Sequence, residues 1–237
     1  MLDGSISICM TTPVAKPEIL STSIGDFPLS ECRITVGDRE LAVLHTHSVL
    51  SLDEETRFLN IPDQRAPYGV VLWPAAVALA YEIALRADEF RGKKVLELGA
   101  GTGLPGIAAA SLGAVVVQTD RSELIVHICQ RNGERNKMTG IEYKLADWSE
   151  WTDETRYDWI IASDILYADT QHEHLRRIFK GNLASNGRIL LSDSYRPPSL
   201  PFLESLEASG WRSRHSRWKI GEGTDARAVA VYDLTPP

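Results

Sequence analysis

The sequence is poor in cysteine, and its few cysteines form no disulfide or metal-binding pattern. Cys9, Cys32 and Cys129 lie far apart in a chain of 237 residues, and no C-x-x-C pair occurs. An odd, scattered set argues against a disulfide framework and against a zinc knuckle. We therefore expect no metal site and a reducing, cytoplasmic location.

Long hydrophobic runs are lacking too. The longest apolar stretch covers about residues 70–81 and contains Pro74. It is shorter than the ~20 residues that a membrane-spanning helix needs. No cationic start precedes an apolar run at the N-terminus, so we expect neither a signal peptide nor a membrane partner.

The chain also lacks an excess of positively charged residues. Lys and Arg number 25 against 32 Asp and Glu, a formal net charge of −7. A protein that binds nucleic acid mainly through phosphates usually carries the opposite balance, so nucleic acid is a disfavoured partner. Apolar residues at 43% and charged residues at 24% are ordinary for a globular protein, which excludes general disorder.

The first part of the chain predicts a small appendage. Its first thirty residues carry several Pro, Ser and Thr and are expected to form a loose arm. Residues 32–36 and 41–44 predict a β-hairpin, and Ser51 with Glu54 predicts the start of a short helix. We assign residues 1–67 to this arm, hairpin and helix, and residues 68–237 to the main domain.

The main domain alternates between strand and helix patterns. This alternation is typical of an α/β fold with a parallel, doubly wound sheet. The predicted strands are 94–98, 114–119, 142–145, 157–163, 187–192, 211–218 and 226–234, and the predicted helices are 75–86, 104–112, 123–135, 171–180 and 201–209.

A glycine-rich turn is the sharpest local feature. Residues 97–106, ELGAGTGLPG, follow a predicted strand and open a predicted helix. Glycines permit positive φ and let a ligand approach the backbone, and a helix start offers free N–H groups. Asp120 ends the next strand, where an adenosine ribose would be held.

The spacing Gly101-x-Gly103-x-x-Gly106 also satisfies the dinucleotide fingerprint. Two details favour S-adenosylmethionine over NAD. A carboxylate at Glu97 would repel a pyrophosphate and attract a ligand with a free amine. The repeated spacing Gly99-x-Gly101-x-Gly103 is the second detail.

Residues 97–103 resemble motif I of the class I, seven-strand methyltransferases. The segment 69–76, GVVLWPAA, and residues 164–167, DILY, extend the likeness to the family 16 protein methyltransferases, over about residues 68–196. The resemblance implies a Rossmann-like seven-strand sheet, mostly parallel with an antiparallel last strand, and the cofactor S-adenosylmethionine. It also implies N-methylation of a protein, most often at lysine.

The resemblance also assigns cofactor contacts. Gly99 and Gly101 match the turn under the methionine part of the cofactor, and Asp120 matches the acid that binds ribose. Trp73 of the W-P motif matches a tryptophan beside the cofactor. Trp148 matches a tryptophan near the adenine.

At the end of the fourth strand, Ser163 matches a small residue in contact with the cofactor, and Asp164 and Tyr167 match the pair that meets the acceptor. The residues argue independently for Asp164, because a carboxylate that ends an apolar strand is costly unless it is paired or used. We hypothesise that Asp164 orients the acceptor amine and that Tyr167 forms a wall of the acceptor channel.

Three alternatives stay open at this level: a small-molecule N-methyltransferase, a nicotinamide-dependent oxidoreductase, and a module that binds the cofactor without catalysis. Nucleic-acid methylation is disfavoured, since no N-P-P-Y stands at residues 164–167. The pairs His45-x-His47 and His172-x-His174 lack further metal ligands and are interpreted as exposed histidines. Basic residues between Arg212 and Lys219 are interpreted as one solvated strand face, with the guidance of an acidic partner as the alternative.

Overall fold

The computed structural model describes residues 3–6, 18–22, 25–49, 52–59, 68–221 and 226–237. The strands of these residues, numbered in chain order, are β1 (Asp3–Ile6), β2 (Glu18–Thr22), β3 (Gly25–Val36), β4 (Arg39–His45), β5 (His47–Ser48), β6 (Val71–Leu72), β7 (Lys94–Leu98), β8 (Val115–Asp120), β9 (Ile141–Leu145), β10 (Tyr157–Ser163), β11 (Leu183–Asp193), β12 (Arg212–Ile220) and β13 (Arg227–Thr235). The helices are α1 (Leu52–Leu59), α2 (Pro74–Ala84), α3 (Ala87–Phe90), α4 (Leu104–Ser111), α5 (Glu123–Arg135), α6 (His172–Asn182) and α7 (Ser199–Ala208).

One twisted sheet of eight strands organises the molecule. Its order is β1-β12-β13-β11-β10-β7-β8-β9. Strand β13 runs antiparallel to both of its neighbours, and all other neighbours pair in parallel. The predicted α/β sheet with an antiparallel last strand is therefore confirmed, and β1 adds an eighth strand at its edge.

Alternation along the strands explains why helices cover both faces of the sheet. In β7, Val95 faces a core with α2 and α4, whereas Leu96 faces a core with α6 and α7. Because side chains on successive strand residues point to opposite faces, a strand with apolar residues on both faces must be buried on both sides. The same holds for β10, where Ile160 and Ile161 lie in the two different cores.

Element boundaries agree with the predictions to within a few residues, and β7, α5 and β10 agree at both ends. Strand β11 begins at Leu183, four residues before its predicted start at residue 187. Helix α2 ends at Ala84 rather than Arg86, and α3 follows after a short turn.

The predicted hairpin is present as β3 and β4, which pair around a turn at Gly37 and Asp38. Two amide side chains of α5 bind its backbone. Asn132 accepts a hydrogen bond from the Leu44 amide at 2.7 Å and donates to the Leu44 carbonyl at 3.1 Å. Asn136 makes the same pair of bonds to Ala42, at 2.9 and 2.7 Å.

The expectation of a loose N-terminal arm is wrong for the described part of that segment. Strand β1 pairs with β12, and β2 pairs with β3. Glu18 of β2 forms ion pairs with Arg131 and Arg135 of α5. Proline and serine content pointed to a loop because it reports local preference, whereas these strands are formed by pairing with distant ones. Ser51, the predicted cap of α1, lies outside the described residues.

The order of the strands reverses at β7. The chain proceeds outward from β7 to β8 and β9, and then returns to place β10 on the other side of β7. In open α/β sheets, ligands bind outside the carboxyl ends of the strands at this switch point. The segments that follow β7, β8 and β10 therefore define the region in which to look for a functional site.

Candidate functional site at the carboxyl edge of the sheet

The glycine turn after β7 adopts a backbone that requires glycine. Gly99, Gly101 and Gly103 have φ values of 62°, 57° and 78°. A Cβ on Gly99 would lie 3.0 Å from the Ile165 side chain and 3.3 Å from the Trp148 ring, and one on Gly101 would lie 3.1 Å from the Gly69 carbonyl oxygen. The turn is thus strained and crowded for any side chain, and it brings the segments after β7 and β10 into contact.

Glu97 lies inside the fold and not on the open side of the turn. Its side chain is on the face covered by α4, with 1% of the residue exposed. One carboxyl oxygen accepts from the Gly106 amide at 3.2 Å and from the Gln118 amide at 2.5 Å. Burial raises the pKa of Glu97 to about 8, so the group is largely uncharged at neutral pH.

These contacts change the interpretation of Glu97. A buried, largely neutral carboxyl group does not repel a pyrophosphate, so the electrostatic argument against NAD loses its force. The observed role of Glu97 is to fix the start of α4 against β8. Its assignment as a cofactor contact therefore rests on the family pattern alone.

Asp120, at the end of β8, lies directly beside the turn. Its carboxylate accepts from the Gly101 amide at 3.4 Å and from the Ser122 amide at 3.2 Å. Burial raises the pKa of this carboxyl group. The long contact to Gly101 leaves the carboxylate able to bind hydroxyl groups of a ligand placed over the glycines.

Trp148 and Ser163 lie on the other side of the turn. Trp148 opens a short helical turn in which Asp147 accepts from the Ser149 amide at 2.8 Å, and its ring contacts the position of a Cβ on Gly99. Ser163 is the last residue of β10 and is half-buried. The structure therefore brings Gly99, Trp148 and the end of β10 together.

Trp73 is held immediately ahead of α2. Its ring nitrogen donates to the Tyr68 carbonyl at 3.0 Å, and the two rings stack with centroids 6.4 Å apart. Pro74 suits the first turn of α2, since the missing N–H would be unpaired there in any case. Trp73 is thereby placed beside Arg196, whose guanidinium lies 5.2 Å from the centroid of its ring.

Asp164 adopts the left-handed conformation, with φ 57°, and is 8% exposed. Its two oxygens accept from Arg196, from Nε at 2.9 Å and from Nη2 at 2.7 Å. Tyr167, three residues later, is 57% exposed at the rim. The strand-end carboxylate is therefore paired, which resolves the cost that its position implied.

Arg196 is the site residue that the sequence predictions missed. It follows β11, the strand that pairs with β10, and the Asp164 amide donates to the Ser192 carbonyl at 2.8 Å. Two facts could have pointed to it. A buried carboxylate such as Asp164 needs a cationic partner, and an arginine follows the neighbouring strand. Strand order, which only the fold supplies, identifies which arginine that is.

Other sequence features lie elsewhere or differ from expectation. His45 is buried with 2% exposed, although it was interpreted as exposed, while His47 is exposed. Arg212 and Arg214 share one face of β12, and Arg217 and Lys219 share the other, so they do not form one basic face. A surface depression lined by Trp151, Asp153, Glu154, Arg156, Arg177, Gly181 and Asn182 lies before β10, at the opposite edge.

The described residues form neither a metal cluster nor a membrane-spanning helix. No group of three or more His, Cys, Asp or Glu side chains is arranged there to hold a metal ion. In the same part of the chain, no helix has both the length and the apolar composition needed to cross a bilayer.

Comparison with curated proteins gives partial matches to protein methyltransferases. The chain is 33% identical over 130 residues to a histone-arginine methyltransferase, METTL23 of Xenopus laevis, covering 52% of this chain and 56% of that protein. It is 33% identical over 135 residues to the protein N-lysine methyltransferase METTL21A of Danio rerio, covering 54% and 62%. The chain thus spans less than two thirds of the length of these relatives.

Solved structures show the same fold. The chain superposes with a TM-score of 0.60 on the T. thermophilus 16S rRNA N2 G1207 methyltransferase in complex with AdoMet and guanosine, at 19% identity over 88% of this chain and 51% of that one. A putative RNA methyltransferase from Pyrococcus horikoshii gives a TM-score of 0.53 at 20% identity, over 68% and 84%. At these identities the likeness establishes the fold alone.

A family model described as lysine methyltransferase matches residues 54–208, well over half of the chain. The match begins within α1, ahead of the segment in which the sequence motifs were recognised, and it ends with α7. It includes the glycine turn, Asp120, Asp164 and Arg196. The chain therefore belongs to the lysine methyltransferase family.

Proposed function

We propose that this chain is an S-adenosylmethionine-dependent N-methyltransferase that modifies a side-chain amine of a protein, with lysine as the expected acceptor. One observation carries the proposal. Three features converge at the switch point of the sheet: a glycine turn that admits no side chain, the Asp120 carboxylate and the Asp164 carboxylate. Family membership and the names of the two relatives, one a lysine and one an arginine methyltransferase, support a protein acceptor.

The residues at the switch point fit the cofactor. Gly99 and Gly101 carry no side chain that could separate a ligand from the backbone of the turn, and Asp120 offers carboxylate oxygens for ribose hydroxyls. Trp148 and Ser163 border the turn from the side of β10, and Trp73 lies toward the acceptor. When bound, S-adenosylmethionine supplies a methyl group on a sulfonium centre that is already activated for displacement.

The chain's own residues then have to bind and orient the acceptor. A lysine amine has a reference pKa of ~10.4 and must lose its proton before its lone pair can attack. A buried site disfavours the charged ammonium and helps this loss. Asp164, held in one orientation, accepts a hydrogen bond from the amine and aims it, and Tyr167 lines the entrance with its exposed ring.

The direct test uses S-adenosylmethionine with a tritiated methyl group and a desalted cell extract. Label in the protein fraction, released as methyl-lysine after hydrolysis, is the expected result. Label as methyl-arginine would correct the acceptor residue but keep the enzyme class. Label confined to soluble amines would favour a small-molecule N-methyltransferase, and binding without transfer would favour a non-catalytic module.

A nicotinamide-dependent oxidoreductase is the remaining alternative. Glu97 no longer argues against it, but membership of a methyltransferase family does. The cytoplasmic location and the division into residues 1–67 and 68–237 also remain proposals. The free, buried state of Cys32 and Cys129 supports the location.

A further inference from the structure

Arg196 is fixed at both its backbone and its side chain. Its amide donates to Asp193 at 2.8 Å, and its carbonyl accepts from the amide and hydroxyl of Ser199 at 3.0 and 2.6 Å. Its guanidinium makes the two parallel bonds to Asp164, and that side chain is one-quarter exposed. A side chain anchored in this way loses little further entropy when it orders a neighbour.

The same guanidinium connects three separate parts of the site. It lies over the Trp73 ring at 5.2 Å, and its Nη1 is 3.7 Å from Glu55 of α1, which in turn pairs with Arg227 at 2.7 Å. Arg196 therefore joins the carboxylate at the end of β10 to the tryptophan ahead of α2 and to the N-terminal helix.

Two bonds from a planar fork determine the plane of the carboxylate that accepts them. An ionised carboxylate has about four lone-pair positions, and Arg196 uses one on each oxygen. Among the described residues, no other hydrogen bond uses the remaining positions, which an acceptor amine would need. The orientation of the Asp164 carboxylate is thus already set when the amine arrives. The backbone of Asp164, with φ 57°, is in a conformation that aspartate adopts rarely and that needs support from its surroundings.

We propose that Arg196 is a positioning residue of the acceptor site: its guanidinium fork holds the Asp164 carboxylate in the orientation that aims the acceptor amine. This inference rests on the proposed methyltransferase function. Arg196 acts through Asp164 and does not itself touch the reacting atoms. A positive charge alone is insufficient for this role, because the two parallel bonds, and not the charge, fix the plane.

The molecule contains a matched control in the middle of β11, the strand that precedes Arg196. Arg188 of β11 also makes two bonds to a buried carboxylate, Asp233, and its guanidinium lies 4.9 Å from the centroid of the Trp159 ring. This second Arg–Asp–Trp unit pairs with the beginning of β10 and is remote from the switch point. Arg188→Lys therefore removes the same fork and the same ring contact without touching the acceptor site.

The experiment compares Arg196→Lys with Arg188→Lys and the wild type. Tritiated-methyl transfer into a dilution series of desalted extract gives apparent kcat and KM values, and calorimetry gives the affinity for S-adenosylhomocysteine. We expect Arg196→Lys to lower kcat on the order of 10- to 100-fold, because a small misplacement of reacting groups has an effect of this size. The affinity for S-adenosylhomocysteine and the KM for S-adenosylmethionine should stay within about twofold. Arg188→Lys should keep its kcat.

A double-mutant comparison tests whether Arg196 acts through Asp164. Adding Arg196→Lys to Asp164→Asn should lower kcat no further, since the group it positions is already lost. All rates are divided by the folded fraction at the assay temperature. Should Arg196→Lys not fold, Arg196→Gln takes its place in every comparison.

Two results would overturn the inference while leaving the proposed function intact. One is a kcat for Arg196→Lys within twofold of the wild type, because charge alone would then suffice. The other is an equal loss in both Arg→Lys variants, which would mark a general effect of destabilisation. A wild type that neither binds S-adenosylhomocysteine nor transfers label would overturn the proposed function, and this inference with it.

Discussion

At the scale of single residues, the two strand-end aspartates have different surroundings and so invite different roles. Asp120 accepts only backbone amides among the hydrogen bonds described, at 3.4 and 3.2 Å. Asp164 is bound on both oxygens by a guanidinium. The first is free to exchange a weak amide contact for ligand hydroxyls, whereas the second is held rigidly. Substitutions at the two positions should therefore separate cofactor binding from catalysis.

Asp120→Asn should weaken the binding of S-adenosylhomocysteine on the order of 10- to 100-fold, since hydrogen bonds to a charged group contribute about 1.5–3 kcal/mol. Titration calorimetry measures the change. Asp158→Asn, at the amino-terminal end of β10, is the control and should bind as the wild type does. Unchanged affinity in the Asp120 variant would refute the assignment to ribose.

Asp164→Asn should show the reverse pattern. We expect kcat to fall on the order of 10²- to 10⁴-fold, the usual contribution of a group that handles a proton or orients a nucleophile, while the affinity for S-adenosylhomocysteine changes little. Steady-state methyl transfer and calorimetry on the same preparation give both numbers. A loss of cofactor affinity equal to that of Asp120→Asn would place Asp164 in the cofactor site instead.

His45 makes stability depend on pH. Both of its ring nitrogens are buried without a partner among the described residues, and burial lowers its pKa from 6.5 to about 4. The unfolded chain therefore binds more protons than the folded one between these values. The contribution of neutral His45 to the free energy of unfolding is therefore fully present above pH 6.5, and it is lost as the pH falls toward 4.

From pH 7 to pH 5 this effect should cost about 2 kcal/mol in the free energy of unfolding. Glu97, with its pKa raised to about 8, acts in the opposite direction, because its contribution is present below pH 4.5 and is lost as the pH rises through 8. Urea unfolding is measured for the wild type and for His45→Leu at both pH values. Because both proteins contain Glu97, its contribution drops out of the difference between them. Equal pH slopes for the two proteins would contradict the prediction.

At the scale of elements, α5 joins the hairpin to the glycine turn. Asn132 binds the Leu44 amide and carbonyl, and its side-chain nitrogen also donates to the Thr102 carbonyl at 2.8 Å. One amide group thus satisfies the backbone of β4 and of the turn that follows β7. The N-terminal hairpin is in this way part of the support of the candidate cofactor site.

Asn132→Ala should destabilise the protein by about 2–3 kcal/mol, because it leaves three buried backbone groups without partners. Urea unfolding followed by circular dichroism measures the loss. Gln130→Ala is the matched control on the same helix, since Gln130 makes an exposed hydrogen bond to Glu134. Its effect should stay within about 0.5 kcal/mol. Similar losses in the two variants would show that the amide does not join these segments.

The elements differ in how far the sequence predicted them. The bounds of strands β7 and β10 were predicted at both ends because apolar residues lie on both faces and a glycine or a polar residue follows at once. Strands β1 and β2 were not predicted, since their local composition is that of a loop and their partners are distant along the chain. The periodicity of apolar residues indicates which positions are buried. It gives no information where pairing with a remote strand decides the structure.

At the scale of the whole molecule, ligand binding should appear as a gain in stability. A ligand at 100 times its dissociation constant stabilises the folded state by about 2.7 kcal/mol. For a chain of this size we expect a rise in Tm of roughly 5–11 °C with S-adenosylmethionine or S-adenosylhomocysteine. NAD should give none. A rise with NAD alone would overturn the proposed function and return the glycine turn to the dinucleotide interpretation.

The sequence by itself determined the class of fold, the family and the residues of the glycine turn. These follow from local patterns: alternation of strands and helices, and glycines where φ must be positive. The tertiary structure decided what each charged group faces. It turned Glu97 toward α4, buried His45 and paired Asp164 with Arg196. Charges and hydrogen bonds act over a few ångströms, and only the folded chain brings residues 32 positions apart within that distance.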